Sequence, residues 1–292
     1  MADEQQDVDA FTGTATTGHV WDGIRELNTP LPRWWLWLFY ATIVWSIGYW
    51  IVYPSWPLVS SYTIGAFNWH SRSAVVSDLD ALKAERAAMV ARLGAASLQQ
   101  IASDPQMLAF ALAQARPAFA ENCAPCHGAG GGGAKGYPNL NDDEWIWGGK
   151  LDDIAQTIRH GIRSGTESRQ GAAMPAFGRD GMLKRADVDA VADYVRSLAG
   201  LPIGAKADLT LGKKVYADNC AVCHGDDGKG KRELGAPNLT DAIWLYGSDN
   251  AAIATAVWNG RGAVMPAWVG RLDDVTIKAL AVYVHSLGGG ER

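Results

Sequence analysis

Phe119-Ala-Glu-Asn-Cys-Ala-Pro-Cys-His-Gly128 returns as Tyr216-Ala-Asp-Asn-Cys-Ala-Val-Cys-His-Gly225, identical at seven of ten positions and displaced by 97 residues. All four cysteines of the 292-residue chain lie in these two strings. The likeness extends outward. Pro138-Asn-Leu140 matches Pro237-Asn-Leu239, and Trp145, Gly148, Ile154 and Gly161 match Trp244, Gly247, Ile253 and Gly260, all displaced by 99. Met174-Pro-Ala-Phe177 matches Met265-Pro-Ala-Trp268, and Tyr194-Val-x-Ser-Leu198 matches Tyr283-Val-x-Ser-Leu287. Motifs repeated in one fixed order mark two copies of one domain. The first copy carries eight extra residues between Gly161 and Met174.

Each copy reads as all-helical. A helix precedes the cysteines, a Gly-rich loop follows, a short helix covers Ile154 or Ile253, and an amphipathic helix closes the copy. In that last helix Val188, Val191, Ala192, Val195 and Leu198 share one face, as do Ile277, Leu280, Ala281, Val284 and Leu287. Strand signals are sparse. Asp104-Pro105 predicts an N-cap and first helical residue, with a helix running toward Gln114 and a break or restart at Pro117.

C-x-x-C-H is the attachment string of a c-type haem: two thiols bond the vinyl groups and the adjacent His ligates the iron. Cys123, Cys126 and His127 make one candidate site and Cys220, Cys223 and His224 the other, so two covalently bound haem c are expected. A zinc ribbon needs two C-x-x-C pairs about 15–20 residues apart, whereas 93 residues separate Cys126 from Cys220. A thioredoxin-like site needs a βαβ surround, and two structural disulfides would leave both His unexplained. Met174 and Met265 are the expected distal iron ligands, because both copies place a Met at the same point in a loop before the last helix; a Met ligand raises the reduction potential. Met89, Met107 and Met182 have no counterpart and read as core fillers. His160 is the rival ligand in the first copy, but Asn259 replaces it in the second. His19, His70 and His285 read as surface or packing residues. Each haem could take the Met of its own copy, or two copies packed face to face could exchange them. The Pro138 and Pro237 carbonyls could accept the proximal His N–H, or these could be plain loop prolines. Gly128 to Gly136 lacks the order of a phosphate loop.

Thirteen Trp are present, six of them between Trp34 and Trp56, and residues 34–71 contain no Asp, Glu, Lys or Arg. Trp34 to Tyr53 is almost wholly apolar, and twenty helical residues span about 30 Å, the thickness of a hydrocarbon core. Trp34, Trp35, Trp37, Trp50, Tyr53 and Trp56 gather at the two ends, as in aromatic belts. A transmembrane helix follows. The run starts too late and is too long for a cleaved signal peptide. Residues 1–22 are expected to be poorly ordered and 58–76 to form a linker, with a helix from Ser77 to Leu93. The organisation is therefore read as an N-terminal segment 1–33, a transmembrane helix 34–53, a linker with an amphipathic helix 54–103, and cytochrome domains 104–200 and 208–290.

With a net charge of −5, binding to nucleic acid through bulk positive charge is excluded. The portion beyond the membrane helix is nearly neutral, 24 basic against 25 acidic residues. Asp142, Asp143, Glu144, Asp152 and Asp153 form an acidic group, and Lys229, Lys231 and Arg232 follow the second string. Such clusters are usually solvated faces; the alternative is that the acidic group steers a basic donor cytochrome c.

The chain resembles the membrane-anchored dihaem subunit (CcoP/FixP) of cbb3-type cytochrome c oxidases. The resemblance runs from Asp22 onward. It rests on the entry Asp22-Gly-Ile-Arg-Glu-Leu-Asn-Thr-Pro-Leu-Pro-Arg-Trp-Trp35, the exit Tyr53-Pro-Ser-Trp-Pro57, and the order of the haem strings and Met-Pro loops. The family implies one or two membrane helices, followed by two class I cytochrome c-like domains. It implies electron relay from a donor cytochrome c through both haems to a monohaem cytochrome subunit and a haem–copper catalytic subunit, which reduces O2 and pumps protons. Haem attachment outside the cytoplasm implies a bacterial inner-membrane location, with the N-terminus cytoplasmic and the haem domains periplasmic. His–Met ligation by His127, Met174, His224 and Met265 would fill both axial positions, so this subunit is expected to carry no catalytic residue of its own. A dihaem cytochrome of another respiratory or dehydrogenase complex, and a dihaem peroxidase, are the other classes in view.

Overall fold

The computed structural model describes residues 7–165, 169, 171 and 173–291. The expectation for residues 1–6, and part of the eight-residue insertion, lie outside them. The chain divides into two units, Met1–Glu85 and Arg86–Arg292.

In the first unit β1 (Thr16–Trp21) and β2 (Ile24–Leu27) form an antiparallel hairpin, with Trp21 opposite Ile24. The expected disorder up to Asp22 is thus corrected for residues 16–22. The reason is local: Asp22 and Gly23 both take positive φ, 49° and 84°, the two-residue turn that Asp-Gly favours and whose twist suits a hairpin. Arg25 secures it by an ion pair to Asp7 at 2.6 Å.

The helix α1 (Arg33–Val52) follows, with no buried residue along its 20 positions. An all-round apolar helix with no protein packed on it suits a lipid solvent. Beyond it the chain folds back, Ala66 donating to the Ile51 carbonyl at 2.9 Å. The helix α2 (Ser71–Ala95) begins six residues earlier than expected, inside the stretch taken as linker.

The second unit is helical. It contains α3 (Leu98–Ser103), α4 (Pro105–Asn122), α5 (Ala124–His127), α6 (Leu151–His160), α7 (Arg185–Leu198), α8 (Leu209–Asn219), α9 (Ala221–His224), α10 (Asn250–Asn259) and α11 (Asp274–His285). Asp104 caps α4 as expected, accepting from the Gln106 and Met107 N–H groups at 2.9 Å with Pro105 at the first position. The expected break at Pro117 does not occur; α4 runs through it. An interior Pro costs about 3 kcal/mol. Ala111, Ala115 and Phe119 on the same helix are fully or almost fully buried; a buried Phe alone contributes about 1.5–3 kcal/mol, so packing outweighs the local penalty.

The two cores do not follow the two sequence copies. In the first core α4 and α6 pack against α11, and Phe119, Ile154 and Ile158 join Ile277, Leu280 and Val284. In the second core α8 and α10 pack against α7, and Val215, Tyr216 and Val257 join Val188, Val191 and Val195. Each copy therefore sends its closing helix to the core of the other copy's haem string. The faces read for α7 and α11 are the buried ones, except that Leu198 is half-buried and Leu287 lies beyond the end of α11.

Candidate haem sites

Each string folds as one helical turn after a helix end. Cys123 closes α4 and opens α5 with φ −110° and ψ −40°; Cys220 does the same between α8 and α9 with φ −109° and ψ −37°. Cysteines at i and i+3 of a helical turn share a face, and the His at i+4 joins them. Gly128 and Gly225 then turn the chain away at φ 80° and 81°.

The imidazoles are fixed from behind. His127 Nδ1 lies 3.0 Å from the Pro138 carbonyl, and His224 Nδ1 lies 3.0 Å from that of Pro237. A carbonyl only accepts, so each Nδ1 carries the proton and each Nε2 keeps its lone pair for a metal. Of the two uses considered for these prolines, the orienting one is realised. Burial lowers the pKa of His224, against the opposing pull of Pro237, which keeps that imidazole neutral and able to ligate. Burial pushes the Cys123 thiol up to about 11 and the Cys220 thiol up to about 12, each neighbouring cysteine adding to the effect. Tyr216 donates its hydroxyl to the Gly225 carbonyl at 2.8 Å, tying α8 to the end of the second string. Phe119, its counterpart, has no hydroxyl to donate; it packs at a tilt on Tyr283, as Tyr216 does on Tyr194.

The methionines enter from the opposite copies. Ile162 N–H donates to the Met265 carbonyl at 2.9 Å, and Met265 N–H to the Ile162 carbonyl at 3.0 Å. Reciprocally, Met174 N–H donates to the Arg261 carbonyl at 2.7 Å and Arg261 N–H to the Met174 carbonyl at 3.1 Å. Met265 and Cys123 both pack on the first core, and Met174 packs on the second, which contains Cys220. Gly161 and Gly260 make these approaches possible. A Cβ on Gly161 would lie 2.2 Å from the Met265 oxygen, and one on Gly260 would lie 2.5 Å from the Met174 oxygen. Reading the sequence matched these two glycines across the copies without seeing that each marks the place where the other copy's loop crosses.

Sequence reasoning did not pick out the donors that surround the sites. Among the described residues, nothing accepts from the buried Trp244 Nε1, Arg261 Nε and Arg169 Nε groups. Arg261 stacks over the Tyr246 ring at 4.2 Å, and Arg169 over Trp147 at 5.6 Å. Buried donors are nearly always satisfied, so these call for an acceptor that the described residues do not supply. The carboxylates of a haem meet that need, and the thiols, Nε2 groups and thioethers meet its periphery and its iron. The residues therefore fit a c-type haem at each string. Among the described residues, no group of three or more His, Cys, Asp or Glu could hold a further metal ion.

Of the other residues considered, His285 Nε2 donates to the Glu291 carbonyl at 2.8 Å and His70 meets the Tyr62 hydroxyl at 3.2 Å. His160 ends α6. The acidic group is partly committed internally: Asp152 accepts from Gln99 at 2.8 Å and Asp153 pairs with Arg169 at 3.3 Å.

Residues 13–60 match the family described as the N-terminal domain of cytochrome oxidase-cbb3, FixP; residues 112–199 match cytochrome c; and residues 207–284 match cytochrome c oxidase, cbb3-type, subunit III. The chain is 58% identical to the cbb3-type cytochrome c oxidase subunit FixP of Bradyrhizobium diazoefficiens, over 99% of both chains. It is 51% identical to subunit CcoP of an Azospirillum species, over 97% of this chain and 98% of the relative. It is 47% identical to subunit CcoP of Cereibacter sphaeroides, over 94% and 95%. With two cytochrome c domains, two c-type haems and one apolar N-terminal helix, the chain belongs to the FixP/CcoP family of dihaem electron-transfer subunits of cbb3-type cytochrome c oxidases.

Proposed function

We propose that the chain relays electrons from a donor cytochrome c to the monohaem cytochrome and haem–copper catalytic subunits of its oxidase, and that its two haem sites share their methionines across the copies. Cys123, Cys126, His127 and Met265 would hold one haem, and Cys220, Cys223, His224 and Met174 the other. When bound, each haem supplies a one-electron iron couple. The chain would offer each iron one His and one Met, which would leave no coordination position for a substrate. The observation that carries this reading is the reciprocal main-chain pairing of Met265 with Ile162 and of Met174 with Arg261.

On this reading the copies 104–200 and 208–290 work as one unit, because neither encloses a complete site. The rigid interleaving holds both irons on one scaffold, which suits a relay: little reorganisation accompanies loss or gain of an electron. The helix α1 anchors the unit in the bacterial inner membrane, with the N-terminal segment cytoplasmic and the haem domains periplasmic, the side on which thioether attachment takes place. Detergent extraction of native membranes and purification through this chain tests the assignment. Two covalent haems, absence of CO binding to them, and copurification of b-type haem and copper are expected. A chain with bare thiols, or a purified unit without copper, contradicts it.

A further inference from the structure

The two sites are related by the repeat, yet the equivalent tryptophans differ in what their N–H groups meet among the described residues. Trp145 and Trp244 occupy equivalent positions and pack on the first and second cores respectively. The Trp244 indole N–H is buried and has no acceptor among the described residues. The Trp145 N–H donates to the Gly289 carbonyl at 2.6 Å. Gly289 belongs to the run 288–291, which is pinned at several points. Glu291 N–H donates to the Gly149 carbonyl at 2.9 Å, and Gly149 N–H to the Glu291 carboxylate at 3.1 Å. Arg232 pairs with that same carboxylate, and His285 Nε2 donates to the Glu291 carbonyl. After Leu198, the corresponding point of the first copy, the chain instead turns through Gly200 into α8, and among the described residues nothing accepts from the Trp244 N–H.

We propose that residues 288–291 are a strap that occupies the Trp145 N–H, withholds it from the carboxylate edge of the first haem, and so sets the first haem's reduction potential below the second's. The inference rests on the haem assignment made above. An oxidised haem carries one positive charge more than a reduced one, so a bare carboxylate at its edge favours the oxidised form. A buried N–H donor disperses that negative charge and favours the reduced form; hydrogen bonding and burial are recognised levers on haem potential. Trp244 is free to play this part at the second site and Trp145 is not. The Glu291 carboxylate adds little net charge, because Arg232 accompanies it. An electron shared between the two centres then rests preferentially on the second.

Redox titration of the full-length chain in detergent, read at the haem absorption bands, tests this. The intact protein is expected to show two resolved midpoints. Trp244→Phe lowers the higher midpoint, whereas Trp145→Phe in the intact chain moves neither. Termination after Leu287 frees the Trp145 N–H and raises the lower midpoint, narrowing the gap, and adding Trp145→Phe to the shortened chain cancels that rise. Equal shifts from Trp145→Phe and Trp244→Phe in the intact chain overturn the proposal, with no need for the truncation to fold. So does a truncation that leaves the lower midpoint in place, or one whose effect persists with Trp145→Phe. Fewer than two haems per intact chain would instead contradict the assignment of the sites.

Discussion

Met265 and Ile162 lie 103 residues apart in sequence and hold each other by both main-chain groups, at 2.9 and 3.0 Å. Through this pairing the loop of the second copy enters the site of the first, and Arg261 with Met174 repeats it in the opposite sense. The arrangement resembles a domain swap between two protomers, joined here into one chain by the short connection from Leu198 to Leu209.

The crossing points tolerate no side chain. Gly161 has φ 66° and ψ −166°, and Gly260 φ 71° and ψ 174°, a region essentially confined to glycine. Gly161→Ala should destabilise the protein by about 2 kcal/mol or more from strain and overlap. It should also weaken the Met–iron charge-transfer band of the first haem before that of the second, with Gly260→Ala doing the reverse. Thermal unfolding followed in that band checks both.

Pro117 is exposed in the interior of α4. Pro117→Ala restores a main-chain donor and is expected to stabilise the fold by about 1–3 kcal/mol, seen as a higher Tm with unchanged haem spectra.

The acidic group carries a pH signature. Burial raises the Asp142 carboxyl above its ordinary 3.8, with Asp143 and Asp241 adding to it. Burial raises Glu144 above 4.5, and Asp241 and Asp143 again contribute. A carboxyl raised on folding favours the folded state while protonated, so this contribution is present below the unfolded values and is lost as pH rises through the folded ones. Tm measured from below pH 3.8 upward should therefore fall through this window relative to Asp142→Asn, which keeps an oxygen to accept the Glu144 N–H.

Val44 lies near the middle of α1 and is exposed. Val44→Arg should cost about 3 kcal/mol of membrane insertion. Fractionation of cells should show a loss of the chain from the membrane pellet, whereas Val44→Leu should be retained there.

Legibility in the sequence followed how local each cause is. The haem strings, the cap at Asp104 and the faces of α7 and α11 arise from spacings within one or two turns, and they stood out. The Asp22-Gly23 turn was equally local, but Gly18 and the charged residues around it hid the alternation of the strands. The continuation of α4 through Pro117 depends on burial against α11, some 160 residues away, which no local rule contains. The exchange of Met174 and Met265 is harder still. The two copies carry the same motifs, so either pairing satisfies the sequence. What distinguishes them is the crossing of α7 and α11 between the cores and the carbonyls that meet Gly161 and Gly260, and a glycine does not name its neighbour.

The pairing of ligands across the copies is tested most directly in a chain that retains a single haem. With Cys220 and Cys223 both changed to Ala, one haem remains on Cys123 and Cys126. Met265→Leu in that background should convert it to a high-spin, CO-binding form, while Met174→Leu should leave it six-coordinate. If instead Met174→Leu opens the iron and Met265→Leu does not, each haem takes the methionine of its own copy and the account of an interleaved pair is wrong.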